Sequence, residues 1–415
     1  MPKVSIILPT FNRIDTIMRA VTSAQKQSLQ DWELIVIDDG STDNTAALLE
    51  GCDPRLTLIR QENRGFTEAR NAGIRAARGE YLSFLDSDDE FLPHHLELCT
   101  AFLDEFKDEA MVSTELLEDF GRGRVINHYR IEVSEWYPQK AAVVGSRRFD
   151  LPAGETDDYL RVYESREPIG EWGRAIVERV KPDPEPFLYQ GRIFDHLRFD
   201  FLITITATVF RASALATSGL PEPRWRTGSD FHFLARLCKT HCANFLSIPT
   251  FIKHEYAETG HLLALGHVVT GRSALSFAED WQIAWDDLFW NGSVHDSELR
   301  GLRSLRQFWM GEVALRFCER ALALENFDQA RNGLPRFWKA KALYWLVRCA
   351  PHARWAQALY GVAGRFKKGP RCLSECCRSP RSVYDENTMF YQRCGRDRND
   401  CACIGVRGRA AGRLL

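Results

Sequence analysis

Between Gly79 and Asp89 the chain reads GEYLSFLDSDD, an apolar run that breaks into three carboxylates, Asp86, Asp88 and Asp89, within four residues. Tyr81, Leu82, Phe84 and Leu85 clustered behind a glycine predict a buried strand, which places the acids at its end. In an open α/β sheet that end faces the ligand crevice. Asp86-Ser-Asp88 there offers oxygen ligands for a hard divalent cation, Mg²⁺ or Mn²⁺, able to neutralise a diphosphate. The competing reading is a solvated acidic turn capping a helix that begins near Pro93, because Asp-rich turns are common. A second acidic pair, Asp38-Asp39, closes the run Glu33-Leu-Ile-Val-Ile37, and an isolated acid, Asp230, precedes a third apolar run.

The elements that must hold these acids follow from periodicity. Val4-Ser-Ile-Ile-Leu8, Glu33 to Ile37, Leu56 to Ile59 and Tyr81 to Leu85 read as strands, and the segments between them place apolar residues at helical spacing. Strands alternating with helices predict an α/β fold with a mainly parallel central sheet, whose ligand-bearing loops gather at one edge. The loop after the first strand is Pro9-Thr-Phe-Asn-Arg13 and contains no glycine. A dinucleotide-binding fold, which needs GxGxxG at that place, is therefore excluded. An aspartyl-nucleophile phosphatase would carry its DxD after the first strand, whereas here the DxD follows the fourth.

Four segments in order, VSIILPTFNR (4–13), ELIVIDDGSTD (33–43), ARNAG (69–73) and FLDSDD (84–89), together resemble a family 2 glycosyltransferase of the GT-A, nucleotide-diphospho-sugar-binding type. The resemblance is specific over about residues 3 to 115 and weaker over about 200 to 262. It implies transfer of a sugar from a nucleotide diphosphate sugar to an acceptor hydroxyl with inversion, assisted by Mg²⁺ or Mn²⁺. It also implies that Thr10, Asp38 and Asp39 frame the nucleoside, that Arg70 lies beside base and phosphates, that Asp86 meets the ribose or a metal-bound water, and that Asp88 ligates the metal. Asp89 is read instead as a helix-start carboxylate. A unit charge opposite the departing diphosphate at 4 Å is worth about 4 kcal/mol at an effective dielectric of 20, which gives the cation its chemical purpose.

In the segment Thr227-Gly-Ser-Asp230, the resembling enzymes carry an acidic pair whose aspartate is the general base. Here the first acid is replaced by Ser229, leaving Asp230 as the candidate base, with a plain helix cap as its competing role. His254, after Phe251-Ile-Lys253, is a further candidate metal ligand or phosphate donor, and a loop histidine without such a role is the alternative. His94-His95 sits at a helix start, where two cations are unfavourable, and is expected to be neutral.

The 415 residues divide, on this reading, into a donor-binding half (1–118), an insertion that shapes the acceptor pocket (119–200), an acceptor and catalytic half (201–271), an α-helical appendage (272–365) and a basic, cysteine-containing tail (366–415). Trp136, Tyr137, Tyr159, Tyr163 and Trp172 in the insertion are expected in the core, with a sugar platform as the alternative. The tail holds six of the twelve cysteines at spacings that fit no familiar zinc site, and its Gly, Arg and Ser content points to disorder. A net charge of -2 argues against a nucleic-acid partner.

The first strand begins at Lys3, and no apolar run approaches the roughly 18 residues of a membrane span, so the expectation is a cytoplasmic protein. Aromatics mixed with cations from Phe337 to Arg348 suit either a helix on the inner membrane surface or one packed on the domain. The partners expected are a nucleotide-sugar donor and a saccharide, lipid-linked or other hydroxyl acceptor, in bacterial-type polysaccharide or glycoconjugate synthesis. A non-catalytic nucleotide-sugar-binding or membrane-scaffold protein is the alternative.

Overall fold

The computed structural model describes residues 1–119, 125–225, 228–254, 273–290 and 296–350. The tail from 366 onward, with its cysteines, lies outside the described residues.

The apolar runs near the N-terminus form β1 (Val4–Thr10), β2 (Trp32–Asp38), β3 (Leu56–Arg60) and β4 (Tyr81–Phe84), all parallel. Every residue of β1, β2 and β4 is buried, as strands covered on both faces must be. Beyond them lie β5 (Glu90–Phe91), β6 (Met111–Asp119), β7 (Val125–Asn127), β8 (Ser165–Pro168), β9 (Phe187–Gly191), β10 (Thr208–Arg211) and β11 (Ala243–His254). Among the described residues the sheet runs β3-β2-β1-β4-β10-β6-β11-β9-β8, with β5 on β11 and β7 on β6. The fold is α/β as expected, but the sheet is mixed: β10 enters antiparallel between β4 and β6, and only β6 and β11 restore a parallel pair beyond it.

The run from Phe201 to Arg211 reads as one long strand, yet only Thr208–Arg211 pairs. The Thr208 hydroxyl donates to the Thr204 carbonyl at 2.6 Å and the Thr208 N–H to Ile205 at 3.3 Å, so local bonds fold 204–208 into a turn instead of a ladder. The segment 119–200 supplies β7, β8 and β9. Its Tyr137 and Tyr163 are buried, Tyr159 and Trp172 pack against the core, and Trp136 stays 39% exposed.

After Ser229–Thr240 come four helices, Ser273–Phe289, Ser297–Arg316, Arg320–Gly333 and Trp338–Cys349, as the helical periodicity predicts. The first reaches the main core through Trp285 and Phe289, and the others build a second cluster around Val313, Phe327, Tyr344 and Val347. None of the described helices is long and apolar enough to cross a membrane.

Candidate functional site

Thr10, Asp38 and Asp86 sit at or just past the C-terminal ends of β1, β2 and β4, the edge where an α/β sheet presents its ligands. The Thr10 carbonyl accepts the Asp39 N–H at 2.9 Å, while its buried hydroxyl has no partner among the described residues and is available to a bound molecule. Asp38 is fully buried and accepts from the Ser41 N–H and from Arg60 Nε, each at 2.9 Å. Asp39 accepts from Gln61 Nε2 at 2.7 Å and from the N–H groups of Arg64 and Gly65 at 3.0 and 2.8 Å. The second acidic pair therefore shapes the loop that launches the helix Phe66–Ala76. A carboxylate has about four acceptor positions, so a nucleoside would add to the three bonds of Asp39.

That helix carries the ARNAG segment. Arg70 is 3% exposed, and its guanidinium donates to Asp86 Oδ1 at 2.6 Å and to Asp230 Oδ1 in a second, short ion pair. Burial alone would ease the proton off Arg70, but the charges of Asp230 and Asp86 outweigh it and hold the cation firmly. Asp86 and Asp230, 35% and 27% exposed, thus present their outer faces on either side of one buried cation. Next to Arg70, Asn71 Nδ2 donates to the Pro221 carbonyl at 2.9 Å. One motif therefore ties the strand-end acids to the segment that carries Asp230.

Asp230 lies in the first turn of Ser229–Thr240, whose cap position is occupied by Gly228 at φ 77° with no side-chain cap. The carboxylate is turned to Arg70 rather than to the helix N-terminus. Ser229 is buried, its hydroxyl 2.9 Å from that of Thr67, and it also donates to Asp230 at 3.3 Å. The residue standing where the resembling enzymes have an acid thus fastens this helix to the helix Phe66–Ala76.

Asp88 is partly exposed and lies 3.4 Å from the Arg13 guanidinium, while its carbonyl accepts from Arg19. Burial raises the Asp88 carboxyl above the usual range, and the charge of Asp86 pushes it the same way against Arg13. Asp89 is not at a helix start, because the next helix begins at His95. It is buried and accepts the His254 N–H at 2.9 Å, and burial with the charges of Asp88 and Asp86 raises it further. The mutual repulsion of Asp86, Asp88 and Asp89 at this edge fits a divalent cation. Among the described residues no three His, Cys, Asp or Glu side chains converge as a complete metal cage. Asp88 is the carboxylate at this edge that could hold such an ion.

His254, the last residue of β11, faces Glu90 through Nε2 at 3.2 Å and Asp119 through Nδ1 at 3.5 Å. It touches the acidic edge through its backbone. Phe11, 44% exposed in the Pro9 to Arg13 loop, and Arg13 itself complete the rim, and sequence reasoning singled out neither. Their positions within the first motif were the available signal.

The sequence model of the family described as Glycosyl transferase family 2 matches residues 5–144. An uncharacterized glycosyltransferase of Rickettsia bellii is 41% identical over 105 residues, 25% of this chain and 15% of that protein. The Escherichia coli UDP-Glc:alpha-D-GlcNAc-diphosphoundecaprenol beta-1,3-glucosyltransferase WfgD is 35% identical over 139 residues, 33% of this chain and 52% of that protein. The chain thus spans between 15% and about half of the length of these relatives. S. aureus TarS 1-349 in complex with UDP-GlcNAc shares the fold, with a TM-score of 0.52 at 16% identity over 88% of this chain and 92% of that one. Residues 5–144, which carry the strand-end acids Asp38, Asp39, Asp86 and Asp88 and the buried Arg70, are thus the part of this chain that is similar to glycosyl transferase family 2.

Proposed function

We propose that the chain transfers a glycosyl group from a nucleoside-diphosphate sugar to an acceptor hydroxyl with inversion, in polysaccharide or glycoconjugate synthesis. The observation that carries this reading is the Arg70 bridge, which holds Asp230 beside the Asp86 strand end where a donor would lie. The acceptor oxygen bonds to the anomeric carbon as the bond from that carbon to the diphosphate oxygen breaks. Asp230 takes the hydroxyl proton as that bond forms. A single displacement opposite the leaving group inverts the anomeric centre. Thr10 and Asp39 bound the nucleoside pocket, Phe11 offers it an aromatic face, and Asp86 lies towards the ribose. Asp88 would hold Mg²⁺ or Mn²⁺, which when bound neutralises the departing diphosphate. His254, engaged by Glu90 and Asp119, supports that edge from behind.

The name of the Escherichia coli relative gives a UDP-Glc donor and a lipid-diphosphate acceptor for that protein, so UDP-sugars with such acceptors come first in a screen. The test is release of nucleoside diphosphate from a donor panel, with and without acceptor. Asp230→Asn should lower acceptor-dependent transfer by about 10²- to 10⁴-fold with donor affinity unchanged. Stability should fall by only about 1–2 kcal/mol, because Asp86 still pairs with Arg70. Transfer at the wild-type rate by the asparagine variant would place the base elsewhere.

A further inference from the structure

The helix Trp338–Cys349 is two-faced in an unusual sense. Ala340, Tyr344 and Val347 are buried against the helices before it. On the opposite side Trp338 is 67% and Trp345 53% exposed. Seven residues apart, the two indoles lie two turns from each other on one face, and exposed Lys341 and Arg348 repeat at the same interval. Arg348 is held in place by donating to the Tyr344 hydroxyl at 2.6 Å, with its guanidinium 5.3 Å from the Trp345 ring. Large apolar side chains left in water at such a place call for something to cover them.

The charge pattern says what covers them. Between Asp328 and Glu375 the chain contains ten Lys or Arg and no Asp or Glu. A protein partner would usually be met by mixed charge, whereas indoles flanked by cations with no acid match the boundary of an anionic bilayer. There the amphipathic rings sit at headgroup depth, and each cation near the surface is worth roughly fivefold in affinity.

We propose that this face rests on an anionic lipid surface, with Trp338 and Trp345 inserted at headgroup level and Lys341 and Arg348 on lipid phosphates. The contact does not depend on the catalytic reading, since none of these residues belongs to the acidic edge. It would hold the enzyme in the layer where a lipid-linked acceptor resides.

The full chain should co-sediment with vesicles of phosphatidylglycerol and phosphatidylcholine and remain in the supernatant with phosphatidylcholine alone. Binding should weaken as salt is raised. Trp338→Ser with Trp345→Ser, and separately Lys341→Glu with Arg348→Glu, should each reduce binding at least about tenfold, with unchanged circular dichroism and unchanged turnover of a water-soluble acceptor. Wild-type binding by both double variants would assign any membrane contact to another part of the chain and overturn the proposal. So would failure of the wild type to bind, or a concentration-dependent dimer abolished by the tryptophan changes, which would make the occupant a second copy.

Discussion

Asp88 sits among Asp86, Asp89 and Arg13, and its carboxyl is raised by burial and by the charge of Asp86. Without a bound cation this acid relieves little and repels its neighbours, and its pairing with Arg13 is partly exposed and so worth less than about 1 kcal/mol. Asp88→Ala should therefore leave stability within about 0.5 kcal/mol of wild type or raise it. Titration calorimetry should show Mn²⁺-dependent binding of a nucleoside diphosphate in the wild type and its loss in the variant. Equal affinity with and without Mn²⁺ in the wild type would remove the metal from the proposed chemistry. Arg70 teaches the complementary lesson at the same scale. Its motif marked it as a ligand contact, and its burial between two carboxylates makes it the joint on which the two halves of the site are aligned.

At the scale of elements, the helix Phe66–Ala76 delivers Arg70 only because it lies close on β1. A Cβ built on Gly73 would stand 2.4 Å from Ile7 Cγ2, in the middle of a fully buried strand. Gly73→Ala gains about 1 kcal/mol of helix propensity but overpacks a branched side chain with no room to move, at a cost of about 1–3 kcal/mol. Net destabilisation by denaturant unfolding is expected, with donor affinity weakened as Arg70 shifts. In an Ile7→Ala background the same substitution should cost markedly less, and an additive pair would show that the contact is not what the glycine serves. Gly65, at φ 87°, has a different task. It turns the loop so that its N–H meets Asp39, a left-handed conformation that side chains rarely accept.

For the whole molecule, two histidines set opposite limits on stability against pH. His95 lies against Phe91 with Nδ1 2.7 Å from the Thr250 hydroxyl, and burial, aided by His94, lowers it to about 3. The unfolded chain takes up that proton near pH 6.5 and the folded chain does not. Stability should therefore fall as pH drops below 6.5, by roughly 2.5 kcal/mol at pH 4.5. His128 lies between Glu118 at 3.0 Å and Glu132 at 3.3 Å, and although burial opposes it, the two acids raise it to about 9. Its contribution is complete below pH 6.5 and is lost as pH rises through 9. Unfolding free energies at pH 5, 7 and 9.5 should trace both limbs. His95→Asn should flatten the acid limb and His128→Gln the alkaline one, and limbs unmoved by these changes would assign them to other groups.

The chain's own periodicity determined the four parallel strands, the helices between them and the acids at their ends, because buried strands need continuous apolar runs and polar residues then collect where the runs stop. It also determined the helices described between Ser273 and Cys349. The placement of Asp89, of the strand after Phe201 and of the Asp38-Asp39 pair was decided only by tertiary structure. Asp89 is drawn from a helix start to the end of β11 by the His254 N–H, a bond spanning 165 residues. Thr208 folds back on its own chain instead of extending a ladder. Asp38 and Asp39, legible as ligand groups, are filled first by Arg60 and the loop ahead of Gly65. The union of Arg70 with Asp230, 160 positions apart, is likewise invisible to local pattern. A buried charge takes whatever opposite charge the fold brings to it, and only the packing of the helices Phe66–Ala76 and Ser229–Thr240 brings that one.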